Sequence, residues 1–350
     1  MNDGDAAPPR AWPETGVTAV MRAAPADFHV EEDLGFAPDG EGEHVLVHVE
    51  KRGLDTAEVA GLIARHLGLP RRAVGWAGRK DRHAVTRQWF GVHWSRAEMP
   101  DLAALSGPKL DVLDMTRHRR KLRPGALAGN RFRIRLTGVT GERERAERRL
   151  AEIGVRGVPN YFGPQRFGRD GANVARARAA LAGNVRRIPR ERRSLLLSAA
   201  RSWLFNTVLA ARVRNGTWDR LLPGELALLE GSASFFRVEH PDAELAARIA
   251  RHDISPSGPL AGGGGARPDG EALAVEREAL AAEAQLLEGL LRAGLKAARR
   301  SLRLRPRDLT WHWEAPDVLV LAFGLPAGAF ATAVIAELVR LEGDPVGRGA

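Results

Sequence analysis

An α+β fold is what this sequence predicts, with sheet-forming segments towards both ends of the chain and a helix-rich stretch inserted between them. Near the ends, apolar residues alternate with polar ones, as at Phe28 and Val30 or at Val45, Val47 and Val49, which is the period of a half-buried strand. The middle instead carries apolar residues at helical spacing. The length, 350 residues, exceeds what one compact core usually spans. The expected organisation is a mobile tail over 1–15, a first domain from 16–154 plus 306–350, and an inserted domain over 155–305.

Taken in order, the run from Val20 to Val30, with the alternating stretch Asp27 to Glu32, and His44 to Val49 predict strands on either side of a turn at GEGE, residues 40–43. Asp55 with Glu58 forms a capping-box pattern ahead of Val59, Leu62, Ile63 and Leu67, so a helix is expected to end at Gly68. Val74 to Gly78 and Arg87 to Trp94 follow as strands, which puts Asp81 on the connection between them. Along 130–136, Asn130, Phe132, Ile134 and Leu136 share one side and Arg131, Arg133 and Arg135 the other. The charged segment GERERAERRLAEIG, residues 141–154, predicts an exposed helix. Asn173 to Leu181 starts a helical region, and a long helix is expected to stop at Asn215-Gly216. Residues 254–270 predict a flexible loop, 271–305 one or two helices interrupted near Gly289 and Gly294, and 309–313 and 318–323 strands before a helix over 329–341.

Composition narrows the chemistry. Lys and Arg total 53 against 43 Asp and Glu, a formal charge of +10, which suits a polyanionic partner without specifying one. Cysteine is absent, so disulfides, thiolate nucleophiles and Cys-ligated metals are excluded, and the ten His show no metal-binding spacing. Dinucleotide, P-loop and nucleophile-elbow patterns are missing as well. The first residues lack the basic and apolar regions of a signal peptide, and no apolar run approaches a membrane span, so a cytoplasmic address without a membrane partner is expected. No obligate protein partner is inferred.

Two segments bring bases and aromatics together. GWAGRKDRHAVTRQWFGVH, residues 75–93, sets Asp81 among Arg79, Lys80, Arg82 and Arg87, next to Trp89 and Phe90. GVPNYFGPQRFGRDGANV, residues 157–174, offers Tyr161, Gln165, Arg166 and Phe167 on a glycine-rich loop able to stack on bases and grip phosphate, or simply to pack. The ladder of Arg131, Arg133 and Arg135 needs an anion beside it: phosphate, or carboxylates from the helix at 142–152. A carboxylate in such a setting can act at a sugar or nucleobase carbon when a cation favours its anionic form, and a base buried in a duplex has to be flipped out first. Phe28 and Phe132 are candidate platforms or walls, or core residues.

These segments, together with GALAGNRFRIRL (125–136) and LSAARSWLFN (197–206), resemble the tRNA pseudouridine synthase D (TruD) family, from about Pro25 to Gly343. The resemblance implies isomerisation of a uridine in tRNA to pseudouridine, position 13 of the glutamate tRNA being expected, with no cofactor and no metal. It further implies a catalytic domain with a mixed, mainly antiparallel sheet, interrupted by a helix-rich insertion domain that walls an RNA cleft. Asp81 falls on the family's catalytic aspartate, as nucleophile or base. Asn130 falls on its active-site Asn, Phe132 takes a position where related families use Tyr, Phe28 matches a Phe near the uracil, and Arg22 stands where the family has a basic partner for the aspartate. RNA contacts are expected from Lys80, Arg82, Arg87, Arg131, Arg133, Tyr161, Gln165, Arg166 and Phe167. Pro164, the four-glycine run and the Pro-rich start depart from the pattern. The rival readings are a non-catalytic RNA-binding or chaperone protein, in which Asp81 only pairs with Arg, and a synthase acting on another RNA uridine.

Overall fold

A computed structural model describes residues 7–183 and 188–342, which divide into two compact units. One is a sheet unit made of Gly16–Arg143, Pro306–Gly328 and the described residues from Val339 on. Its first elements are β1 (Thr18–Met21), β2 (Phe28–Asp33), β3 (His44–Arg52), α1 (Thr56–His66), β4 (Val74–Trp76), β5 (Val85–His93), β6 (Leu110–His118) and β7 (Gly129–Thr140). The alternation seen in the sequence is realised in β3, where Val45, Val47 and Val49 pack with Val59 and Ile63 of α1 and with Phe90 and Val92 of β5. Helix α1 begins at the expected capping box, with Asp55 and Glu58 each accepting a hydrogen bond from the other's backbone N–H.

The helix-rich unit comprises the described part of Met1–Thr15, Glu144–Arg305 and Ala329–Leu338. In order it holds most of α2 (Arg143–Arg156), then β8 (Val158–Pro159), α3 (Ala172–Ala182), α4 (Arg190–Arg214), β9 (Glu225–Leu229), β10 (Phe235–Val238), α5 (Ala243–Ala250), β11 (Ile254–Ser255), β12 (Ser257–Leu260), α6 (Gly270–Ala279), α7 (Ala284–Arg292), β13 (Ala298–Ser301) and β14 (Arg303–Leu304). Its main core joins Ala177 and Leu181 of α3, Leu196, Ala200, Leu204 and Val208 of α4, and Leu286 and Leu290 of α7.

Several expectations are corrected here. Within residues 7–15, Ala11 N–H donates to the Glu337 carboxylate and Thr15 is buried, although Ala7, Pro8, Pro13 and Glu14 are exposed; 1–6 lie outside the described residues. Helix α2 is not exposed all round, because Ala146, Arg149, Leu150 and Ile153 are buried. The unit also takes in residues from Glu144 and from 329–338, beyond the expected 155–305. The stretch from 254 is paired: β11 runs against β9 and β12 against β13. Residues 298–301 and 303–304 are strands, not helix, and Gly289 interrupts nothing. An added Cβ there would lie 2.6 Å from Leu181 Cβ, so this glycine lets α7 approach α3. Of the basic stretch 185–193, residues 185–187 lie outside the described set.

The chain then supplies β15 (Arg307–Ala315), β16 (Val318–Pro326), α8 (Ala331–Leu338) and β17 (Arg340–Leu341), so the last expected helix is shorter than 329–341 and is followed by a strand. The main sheet runs β15-β16-β7-β2-β5-β3-β6, with β1, β17 and β4 attached beside it. Among the described residues of this sheet, only β2 with β5 and β1 with β17 pair in parallel. The sheet is therefore mixed and mainly antiparallel, in an α+β chain.

Candidate active site

Asp81 lies between β4 and β5, two antiparallel strands in the register Val74↔Val92 and Trp76↔Phe90. Buried side chains pin the main chain of this connection. Gln88 Nε2 donates to the Gly78 carbonyl at 3.1 Å, and Gln88 Oε1 accepts from Thr56 Oγ1, which in turn accepts from the Lys80 N–H. Lys51 Nζ, on a side chain 0% exposed, donates to the carbonyls of Asp81 (2.8 Å) and Leu54 (2.7 Å). Burial pulls its pKa down to about 8, against the attraction of Asp81 and Asp55. The backbone of residue 81 is thereby fixed while its carboxylate remains 53% exposed.

That carboxylate accepts from Arg22 Nη2 at 2.8 Å. Arg22 follows β1 with φ of 64°, a left-handed conformation uncommon for a non-glycine residue and a form of strain often concentrated at functional sites. Its guanidinium carbon sits 4.0 Å from the centroid of the Phe28 ring. Phe28 meets Phe132 edge-on at 6.1 Å, and Phe132 stacks with Phe323 at 5.6 Å, the last two being cross-strand partners of β7 and β16. Asp81, Arg22, Phe28 and Phe132 thus form one chain of contacts.

Asn130 shares the Phe132 side of β7, and its Oδ1 is buried without a hydrogen-bond partner. Arg22 Nε and Thr86 Oγ1 are orphaned in the same way. Buried polar atoms are seldom left unmatched, so these three are open to a hydrogen bond from water or a bound molecule. Asn130 and Phe132 line a cavity of about 340 Å³ together with Phe323, Arg307, Asp308 and Asp33; Asp81 does not line it.

The expected RNA contacts fall into different settings. Lys80 is not a surface contact: it pairs at 2.8 Å with Glu32, the two side chains being 6% and 0% exposed. Glu32 Oε2 also accepts from the Trp89 N–H. Arg82 is exposed, donating to the Gly53 carbonyl, and Arg87 pairs with Glu50. Along β7, Arg135 is held by Glu314 and Asp27 and Arg133 lies 3.9 Å from Glu314, so the matching carboxylates come from β15 and the turn before β2 instead of the helix at 142–152. Arg131 is exposed and has no ion pair among the described residues. In the helix-rich unit, Tyr161 is 7% exposed and donates its hydroxyl to the Pro9 carbonyl, so it is a packed residue and no free stacking platform. Gln165 is exposed, Arg166 donates to Ser198 Oγ, and Phe167 packs edge-on against Trp203.

Lys51 escapes the sequence reading, although a signal existed. It continues the period-two face of Val45, Val47 and Val49, placing a lysine where a further apolar residue belongs.

Comparison with known proteins gives this arrangement a context. The family model of tRNA pseudouridine synthase D (TruD) matches residues 9–176 and 172–338. A tRNA pseudouridine synthase D of Xanthomonas axonopodis pv. citri is 49% identical over 346 residues, covering 94% of each chain. One from Methylococcus capsulatus is 49% identical over 339 residues, covering 97% of this chain and 95% of that one. A crystal structure assigned to tRNA pseudouridine synthase D of Methanosarcina mazei superposes with a TM-score of 0.71 over 95% of both chains at 21% identity, which bears on the fold alone. With matches that span the two units and nearly the whole length, the chain belongs to the tRNA pseudouridine synthase D family.

Proposed function

We propose that this chain isomerises uridine to pseudouridine in tRNA, that Asp81 is the catalytic carboxylate, and that the target is position 13 of the glutamate tRNA. The relatives' names support the reaction class. The observation that carries the assignment of Asp81 is its 2.8 Å contact with Arg22, made by a half-exposed carboxylate whose own main chain is tied down from beneath. In a purely structural ion pair, nothing requires the backbone to be fixed while the acid faces solvent.

In this reading the uridine is flipped out of the RNA stack and its uracil meets the Phe28 and Phe132 rings. Asp81 either attacks C1′, forming an ester as the C1′–N1 bond breaks, or removes a sugar proton so that the same bond breaks by elimination. The freed uracil turns and C5 joins C1′, displacing the Asp81 ester or, on the elimination route, with the abstracted proton returned to the sugar; the C5 proton leaves and N1 regains one. Arg22 balances the carboxylate charge and fixes its direction, and its stacking on Phe28 couples the acid's position to the base platform. Asn130, with its unsatisfied Oδ1, is a positioning group for the nucleotide or for Asp81. In this proposal the sheet unit is the catalytic domain and the helix-rich unit the insertion domain that contributes RNA contacts.

Each turnover releases one hydrogen from uracil C5. Unmodified tRNA transcripts carrying tritium at uridine C5 should therefore release label with this protein, and sequencing should map the product to uridine 13 of the glutamate tRNA. Tight tRNA binding without release of label would instead identify an RNA-binding protein.

A further inference from the structure

Helix α4 presents Ser194, Leu197, Ser198, Arg201 and Ser202 at the spacing of one helical face. This face walls an open cavity of about 270 Å³ lined also by Phe162, Leu260 and Leu295. Arg201 Nη2 donates to the carbonyls of Leu260 and Lys296, 3.0 Å each, and its Nε is buried without a partner. Arg166 Nη1 donates to Ser198 Oγ at 3.0 Å. Arg300 lies with its guanidinium carbon 4.1 Å from the centroid of the Phe162 ring and donates to Asn160 Oδ1. Burial pulls all three guanidiniums below their usual range, Arg300 to about 10.

Three other arginines of this unit are matched by acids, whereas the buried Arg303 rests on the Ile249 and Ile254 carbonyls. Arg212 meets Glu225 at 2.7 Å, Arg299 meets Glu276 at 2.6 Å, and Arg149 meets Glu152 at 2.9 Å. Arg166 and Arg201 have no carboxylate within ion-pair distance among the described residues. Partly buried cations without a counter-ion are costly unless an anion arrives from outside, and a hydroxyl-lined cavity beside them gives that anion a place.

We propose that this cavity is a subsite for one phosphodiester of the RNA backbone, held by Arg201 with the hydroxyls of Ser194 and Ser198, Arg166 being hydrogen-bonded to Ser198. The identity of the polymer rests on the reading of an RNA substrate given above; the anion chemistry rests on the cavity itself. Guanidinium groups match phosphate geometry in two-pronged fashion, and a backbone contact of this kind would secure the RNA without reading its sequence.

The test uses the full chain and two variants. Ser198→Asp supplies the missing counter-ion from within, so it should raise Tm while weakening tRNA binding by about eightfold at about 0.1 M salt relative to about 1 M, the loss of about 0.9 in the log Kd against log salt slope that one phosphate contributes. Arg201→Gln should flatten the slope by the same amount. Because Arg201 also holds two carbonyls, Ser198→Asp keeps the test readable should Arg201→Gln fold poorly. Inorganic phosphate should raise the Tm of the unaltered protein above its value in chloride at equal ionic strength, and should not raise that of Ser198→Asp. A Ser198→Asp variant with lowered Tm and an unchanged salt slope overturns the proposal, as does a Tm indifferent to phosphate. If the unaltered protein released no C5 tritium from any tRNA while these slope losses persisted, the isomerase reading would fall and the phosphate subsite would stand.

Discussion

Replacing Lys51 with Met separates the electrostatic strain under the site from the hydrogen bonds that hold it. Lys51 titrates at about 8 instead of its ordinary 10.5. At about 1.36 kcal/mol per pH unit, its charged form costs the fold roughly 3 kcal/mol below pH 8. Between pH 8 and 10.5 the unfolded lysine still holds its proton and the native one has released it. The unfolded state then binds more protons, and this residue's contribution makes stability rise with pH across that window. Lys51→Met removes the charge but leaves the Leu54 and Asp81 carbonyls unmatched, at roughly 1–3 kcal/mol each. Near pH 7 the two effects offset and the variant should lie close to the unaltered protein. Near pH 10, where the neutral amine keeps its bonds at no charge cost, the variant should be less stable by roughly 2–4 kcal/mol. Urea unfolding of both proteins from pH 7 to pH 10 measures this gap directly, since all other titrating groups cancel. A gap that stays constant with pH would refute the reasoning. In the tRNA assay, the untethered Asp81 connection should appear as a lower kcat with little change in Kd.

Arg22→Gln should lower turnover on the order of 10²-fold while stability changes by about 1 kcal/mol or less, since a partly exposed ion pair adds little to folding but a fixed charge beside a reacting carboxylate adds much to catalysis. A large drop in Tm with kcat preserved would make Arg22 a structural residue. Lys80→Met strands the fully buried Glu32 and should cost about 3–5 kcal/mol, read by chemical denaturation, without flattening the salt dependence of tRNA binding. Arg131→Ala should reduce the salt slope of tRNA affinity by about 0.9, and Arg135→Ala should leave it unchanged, because Glu314 and Asp27 already neutralise Arg135. Equal slopes for these two variants would contradict phosphate contact at Arg131.

The sheet was legible where one side chain face is buried. Phe132, Ile134 and Leu136 alternate with Arg131, Arg133 and Arg135 in β7 as they do in the sequence, and the Asp55 and Glu58 box opens α1. Illegible were segments whose conformation depends on distant partners. Residues 254–262 look like a loop by composition, yet an added Cβ on Gly262 would meet the backbone of Lys296 and Ala297 at 2.5–2.6 Å, so this glycine marks close packing between chain segments. Helix α2 looks solvated because Arg149 counts as a polar residue, while in the fold it is buried with its guanidinium on the Glu337 and Pro13 carbonyls. At the site, the family motif led to Asp81 and Arg22, whereas local sequence could not show that Lys80 turns inward to Glu32 or that Lys51 rises beneath the Asp81 carbonyl. Both facts depend on which strands become neighbours.

The central claim, that Asp81 carries the bond making and breaking, is tested most directly by Asp81→Asn, which keeps the side chain's size and an oxygen facing Arg22 but removes the charge and the nucleophile. Single-turnover release of C5 tritium from tRNA should fall to the uncatalysed background, with tRNA Kd and Tm at the values of the unaltered protein. Release at an undiminished rate from the folded variant would contradict the account.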